Sequence, residues 1–470
     1  MNNFQKEEER YKKLLIESNL FFYGSTKGSY ILPPKGYHLW ENIKKVLDNK
    51  FSKRGIKNVI LPTLIPFELF NKEKDHVSGF SPELFCVERI GKKKIENPLV
   101  LRPTSEVAFY DWYRQIIQSY QQLPFLYNQW CSVFRAEKNT SPFFRNTEFL
   151  WQEGHTIHSN KEEAKKLTLD ILSDYENYAK NYLLLSVIVG KKTEREKFSG
   201  AVETYTIECI LPDGQCLQLA TSHYFGDSFC RFMNLKFQNK MNEWQNPFST
   251  SWGTSTRSIG ALVKNHSDSF GIILPFDIAP TQIAFVIFDK SEEALDYYEE
   301  INEKFSSKFR CELYNKNNQT NSNILQADKE GCPFKILIGK KELENEELTI
   351  VRRDDVKKKI VIKKENLLDF IDNEKDYFDQ ELKRRSDNFS KQMIFEANNY
   401  TELMEMIKEG KKGLFLAPFC NDIQCEEKVK EKVPSYTFRC IVKNVDIEEK
   451  KTCLFCNDYS KVMAYLGRSY

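Results

Sequence analysis

No apolar run in this 470-residue chain approaches the roughly 18 residues that a membrane-spanning helix needs, which argues against a membrane protein. A net charge is also lacking: 69 basic against 67 acidic residues leave +2, too little for a protein built wholly to coat nucleic acid. The N-terminus, MNNFQKEEERYKK, alternates acid and base and has no apolar stretch of the secretory kind, so a cytoplasmic location is expected. In that compartment the 12 cysteines read as thiols or metal ligands, not as disulfides. Walker A loops and GxGxxG fingerprints are missing, which removes support for the usual phosphate-binding folds. Internal repeats and low-complexity segments are missing too.

What is present is a hydrophobic fraction of 41% and an aromatic fraction of 13%, the composition of a globular chain too long for one core. Residues 1 to about 60 read as helical, and short β-like runs follow: NVILPTLIPF, NPLVLRP, NQWCSVFRAE and TEFLWQEGHTIH. Their breaks at Pro, Asn and Gly predict antiparallel strands, not a βαβ alternation. A helix is predicted from Lys161 to Leu185, capped by Ser159-Asn160. Near Leu274-Pro275 the character changes to strand (IAFVIF), helix, strand (RCELYN), strand (FKILIG) and strand (LTIVRR), an α/β unit of about 100 residues. A charged helical stretch to Lys391 leads to a third segment with five of the cysteines.

The densest chemistry lies between Leu101 and His158. In LRPTSE, Thr104 and Glu106 would share a face of a strand, a pair of acceptors suited to an ammonium group. Arg135 and Arg145 flank a turn, so a hairpin would bring two guanidinium forks to one mouth, matched to phosphate oxygens. Phe149, Trp151, Glu153 and His155 alternate along one row, and a Glu and a His buried there have no partner evident in the sequence. Two more pieces follow: LQLATSHYFG, with Gln218, Thr221 and His223, and SWGTSTRSIGALV, with Gly253, Ser255 and Arg257 before a helix-like run.

LRPTSE, the FRAE…FFRNTEFLWQEGH segment, QLATSHYFG and WGTSTRSIG, in this order and down to the terminal GRSY, resemble the prolyl-tRNA synthetases of the archaeal/eukaryotic-like type, a class II aminoacyl-tRNA synthetase family. The resemblance implies an α+β chain: an antiparallel-sheet class II catalytic domain over residues 1–277, an α/β anticodon-binding domain over 278–377 and a small C-terminal α/β zinc module over 378–470. It implies a homodimer with an interface around Pro62, and the substrates L-proline, ATP with Mg²⁺, and tRNA(Pro). Thr104, Ser105 and Glu106 match the family's proline-recognition triplet; Arg135 matches the arginine of its second signature motif, which binds the ATP α-phosphate and the substrate carboxylate. Glu137, Arg145 and Asn146 match ATP contacts, Gln218 and Thr221 a further nucleotide pair with Gln218 near Mg²⁺, and Ser255 with Arg257 the third motif's phosphate clamp. Trp151, His155 and His223 would wall the proline ring, with Glu153 and Gly253 in support.

Cys420-x4-Cys425 and Cys453-x2-Cys456 form two pairs of a spacing that suits structural tetrahedral zinc, with Cys440 as an alternative ligand. Residues 352–364 carry seven basic and two acidic side chains, a candidate track for RNA phosphates. Relatives have a tryptophan-glutamate pair where this chain has Ala327-Asp328, which casts doubt on base contacts from there. His158 to Gln218 spans about 60 positions, too few for the large hydrolytic insertion of bacterial-type relatives, so no cis editing of mischarged tRNA is expected. The competing reading, a catalytically silent paralogue serving as an RNA-binding or regulatory module, would have no use for an ATP clamp.

Overall fold

The β-rich runs between residues 125 and 255 assemble, in a computed structural model that describes residues 3–76, 84–288, 291–315, 320–442 and 451–470, into the middle of an 11-stranded sheet. Its strands are β1 (Phe125–Phe134), β2 (Glu148–His158), β3 (Ile188–Lys191), β4 (Glu203–Ile210), β5 (Cys216–Gly226), β6 (Phe248–Ser255), β7 (Ile394–Glu396), β8 (Leu414–Phe419), β9 (Tyr436–Val442) and β10 (Val462–Arg468). Across the sheet the order is β7-β8-β10-β9-β3-β4-β5-β6-β2-β1, closed by the two-residue strand Lys57–Asn58. From β3 to β1 every pairing is antiparallel, as the turn-broken runs predict.

Alternation sorts the side chains of this sheet between two faces. On one, Gln152 meets Tyr175, Ser222 Oγ donates to Thr168 O at 2.8 Å, and Trp252 packs 6.2 Å from Phe51, all beneath the helices Pro34–Lys53 and Lys161–Asn181. A side chain in place of Gly154 would put its Cβ about 2.1 Å from the Trp252 ring, so only glycine fits there. The second helix starts as predicted, with Asn160 accepting from Glu163 N at 2.8 Å, but stops at Asn181 because Leu184 takes a left-handed φ of 54°.

The α/β unit has a mixed five-stranded sheet, Cys311–Leu313, Ile283–Ile287, Phe334–Ile338, Glu347–Arg352 and Lys359–Lys363 in spatial order. A helix, Thr320–Lys329, stands between RCELYN and FKILIG where the sequence predicts none. Its Asn-rich sequence has weak helix propensity, and the burial of Ala327 with Ile324 packed beside it overrides that preference. Arg352 and Arg353 are withdrawn from the proposed RNA track: Arg352 pairs with Asp354 and Glu374, and the fully buried Arg353 grips Asp268 through two nitrogens at 2.8 and 2.7 Å. Lys357, Lys358 and Lys359 remain exposed. Ala327 and Asp328 are buried, the latter paired with Lys335.

The C-terminal segment does not stand apart. β9 pairs with β3 through Ile441 opposite Lys191 and Val442 opposite Gly190, making one continuous sheet. Across that seam Arg439 Nε donates to Glu208 Oε2 at 2.6 Å while Lys192 contacts the other oxygen, all three groups buried.

Candidate active site

On the face of the sheet away from the two helices lies a cavity of about 310 Å³. Of the side chains singled out in the sequence, Thr104, Glu106, Arg135, Glu137, Arg145, Asn146, Trp151, Glu153, His155, Gln218, Thr221, His223, Gly253, Ser255 and Arg257 all line it. Ser105 does not; it sits just behind, hydrogen bonded to Glu153. Thr104 and Glu106 are not on a strand, as alternation suggested. Pro103 follows the strand Lys93–Leu101, Ser105 takes the N-cap position and Glu106 opens the helix Glu106–Ile116, yet both side chains still reach the cavity.

Glu153 is the hub of the floor. Its carboxylate accepts from Thr104 Oγ1 (3.1 Å), Ser105 N (3.1 Å), Gln129 Nε2 (3.1 Å) and Cys131 Sγ (3.6 Å), with His155 Nε2 at 3.1 Å. Burial pushes its pKa up, but the His155 contact and the bonds from Ser105 outweigh that and hold it down at about 2. The partners missing from the sequence row thus come from two separate stretches of chain, Thr104–Ser105 and Gln129–Cys131. Because Thr104 spends its proton on Glu153, its oxygen faces the cavity as an acceptor. His155 stacks on Phe109 at 4.5 Å; His223 meets Thr204 Oγ1 at 3.0 Å and the Phe198 ring at 4.8 Å. Burial, then the neighbouring His155, lowers His223 to about 3, so its imidazole is neutral.

Three guanidinium groups converge on the other half. Arg135 donates from Nε and Nη2 to Pro103 O at 3.2 and 3.1 Å and lies over Trp151 at 5.1 Å. Arg257, first residue of the helix Arg257–Asn265, donates from Nε to Phe144 O at 3.1 Å. Arg145 is exposed and donates from Nη2 to the Tyr470 main-chain oxygen at 2.8 Å. Burial, then the charge of Arg257, pushes Arg135 down to about 10; burial, then Arg145, lowers Arg257. Both remain cations at neutral pH, so this half of the cavity concentrates positive charge with forked donors, a cradle for a polyanion.

Gln218 and Thr221 are three apart and would point to opposite faces of a regular strand. A register shift, with Ile207 opposite Ala220 but Glu208 opposite Gln218, inserts one residue and brings both to the cavity. Tyr470 was invisible as a neighbour of this site: its hydroxyl is 2.8 Å from Ser141 Oγ and its ring 4.4 Å from Phe144. Glu196, Phe198 and Thr204, which also line the cavity, were missed too. They belong to no recognisable motif, and only the pairing of β4 with β5 brings them near.

At the far end of the sheet the Sγ atoms of Cys420, Cys425, Cys453 and Cys456 all lie within 4.8 Å of one another. The separations Cys425–Cys453, 3.8 Å, and Cys456–Cys420, 3.7 Å, match the edges of about 3.8 Å that a zinc bound to four sulfurs at about 2.3 Å requires. Cys440 is elsewhere, against Gly190 in the β9–β3 seam. These residues fit the metal.

Known proteins agree with this layout. Residues 85–266 match the tRNA synthetase class II core domain (G, H, P, S and T), 282–374 an anticodon binding domain, and 400–470 the C-terminal domain of prolyl-tRNA synthetase. The proline-tRNA ligase of Mycoplasma mycoides subsp. mycoides is 44% identical over 460 residues, 98% of this chain and 96% of that one. That of Clostridium novyi is 40% identical over 462 residues, with the same coverage. The crystal structure of prolyl-tRNA synthetase from Cryptosporidium parvum, complexed with halofuginone and AMPPNP, superposes with a TM-score of 0.92 at 30% identity, covering 98% of this chain and 94% of that one. With these family models matching in succession along the chain and relatives this similar over nearly its whole length, the protein belongs to the prolyl-tRNA synthetase family of class II aminoacyl-tRNA ligases.

Proposed function

We propose that this chain is a working proline-tRNA ligase and not a silent paralogue: it condenses L-proline with ATP to prolyl-adenylate and pyrophosphate, then transfers the prolyl group to the 3′ end of tRNA(Pro). The observation that carries the reading is one cavity with an acceptor-lined slot at one end and three arginines at the other. The pyrrolidinium donates its two protons to Thr104 Oγ1 and Glu106. Trp151, His155 and the neutral His223 wall the ring, and Gly253 leaves room beside it. Arg135 bridges the proline carboxylate and the ATP α-phosphate, so the two anions can approach; its contacts to Pro103 fix it beforehand, which keeps reorganisation low. Arg257 with Ser255, and Arg145, Glu137 and Asn146 from the other side, hold the triphosphate, while Gln218 and Thr221 meet the nucleotide. Gln218 would stand near the Mg²⁺ that accompanies ATP, an ion that would supply neutralisation of phosphate charge when bound.

Cys420, Cys425, Cys453 and Cys456 hold a structural zinc with no position open to substrate. The three functional units divide at residues 277 and 377, although the last continues the catalytic sheet through β9 and the helix Leu367–Gln392 runs across 377. Ile60 and Leu64, exposed by 77% and 43% on either side of Pro62, supply the apolar face on which two copies form a homodimer. Among the described residues no helix is long and apolar enough to cross a membrane, and the cytoplasm, where tRNA is charged, is the place of work. Residues 159–215 hold the helix Lys161–Asn181, β3 and β4 with no inserted domain, so mischarged Ala-tRNA is not hydrolysed by this chain. Proline-dependent exchange of pyrophosphate into ATP tests the reading; an inert purified protein would overturn it, and rapid deacylation of Ala-tRNA would overturn the editing statement.

A further inference from the structure

We propose that Gln129 is a positioning residue for proline recognition, an amide strut that sets the Thr104–Glu106 loop through Glu153; this rests on the proline reading of the cavity. Gln129 lies on β1 directly opposite Glu153 on β2 and is fully buried. Its Nε2 donates to Ser105 Oγ at 2.8 Å and to Glu153 Oε1 at 3.1 Å, with Cys131 Sγ at 3.3 Å. Its Oε1 accepts from Leu61 N. Leu61 is itself fixed, because the buried Arg102 donates from Nη1 to Leu61 O at 2.7 Å and to Pro62 O at 3.3 Å, and from its own N to Thr63 O at 3.0 Å.

That arrangement gives the amide one orientation. Turned over, it would aim its carbonyl at the Glu153 carboxylate and its NH₂ at the Leu61 N–H, losing both bonds and adding a repulsion. With the amide fixed, one proton orients the Ser105 hydroxyl in the loop and the other goes to Glu153 on β2, which also accepts from Thr104 and Ser105 N. Glu153 in turn takes the Thr104 proton and so leaves an acceptor for the imino acid. Gln129 does not line the cavity. Its hydrogen bonds act on the proline half directly, and on the triphosphate half only at one remove, through Glu153 and the Pro103 carbonyl that holds Arg135.

The test is steady-state proline-dependent pyrophosphate exchange with the full chain, with thermal unfolding as a fold control. Gln129→Met, of similar shape but without donors, should raise the proline KM about 10- to 100-fold while the ATP KM stays within about 2-fold. Gln129→Glu adds a second readout and decides the matter if the first variant does not fold. Protonated, the new side chain keeps one donor and one acceptor; ionised, it repels Glu153, with His155, the Cys131 thiol and the cations Arg102 and Arg135 the other charged or titratable groups acting on that cluster. The ratio of its proline KM to that of the wild type should rise with pH, and the ATP ratio should stay flat. Proline and ATP constants that move together, or a pH-independent proline ratio, would overturn the proposal. A wild-type protein inert in exchange would instead overturn the reading it rests on.

Discussion

The substrate cavity and the cysteine cluster both gather groups of like charge, and they are held in different ways. In the cavity, Arg135, Arg145 and Arg257 are each anchored to a main-chain oxygen, of Pro103, Tyr470 and Phe144, so the surrounding fold bears the repulsion. In the cluster, four sulfurs sit within 4.8 Å at the rim of a small core built from Leu403, Phe415, Phe419, Phe438 and neighbours. As thiolates they would repel one another just as the arginines do, but a dication at their centre would bind all four at once. One site spends stability to gain affinity for a substrate; the other would take stability from a bound metal.

That contrast breaks most readily at the cluster. Stripping zinc with a chelator, or Cys453→Ser, should cost the C-terminal module up to about 10 kcal/mol of apparent folding energy and abolish its cooperative melt, read by calorimetry with zinc content by atomic absorption. At the cavity the expectation is reversed. Arg257→Ala or Arg135→Ala should lower kcat/KM for pyrophosphate exchange by about 10³-fold or more, roughly 4 kcal/mol of transition-state stabilisation, with the melting temperature unchanged or slightly raised because a repulsion is relieved. A large drop in melting temperature would show that the arginines hold the fold as well.

Two smaller effects sharpen the comparison. Arg439→Met leaves buried Glu208 with Lys192 alone, and about 3 kcal/mol of stability should be lost as the β9–β3 seam loosens, measured by denaturant unfolding. Burial, reinforced by Asp277 and Asp376 after the opposing hydrogen bond from Phe276 N, pushes Asp379 up to about 7. The folded state then holds a proton that the unfolded chain has released above about pH 4, so stability falls as pH rises toward 7 and levels off beyond. Asp379→Asn keeps the acceptor for Phe276 N and should flatten that slope, a gain of about 1–2 kcal/mol above pH 7.

Alternation and spacing made much of the site legible. Trp151, Glu153 and His155 share a strand face because side chains repeat every two residues, and Cys420/Cys425 with Cys453/Cys456 carry ligand spacing on their own. The helix cap at Asn160 was likewise local. The bulge that turns Gln218 toward Thr221 was not, since it depends on register with β4. Nor was the buried fate of Arg352 and Arg353, which read as RNA contacts until Glu374 and Asp268 were brought beside them.

The order of motifs, the strand faces and the two cysteine pairs were determined by the sequence alone, because they follow from local periodicity and from chemistry carried within a few residues of chain. Tertiary structure alone decided that β9 would extend the catalytic sheet, that Tyr470 would meet Arg145, and that Gln129 would join Leu61 to Glu153. Those contacts span up to 325 positions, and a hydrogen bond over such a distance leaves no periodic trace in either partner's neighbourhood.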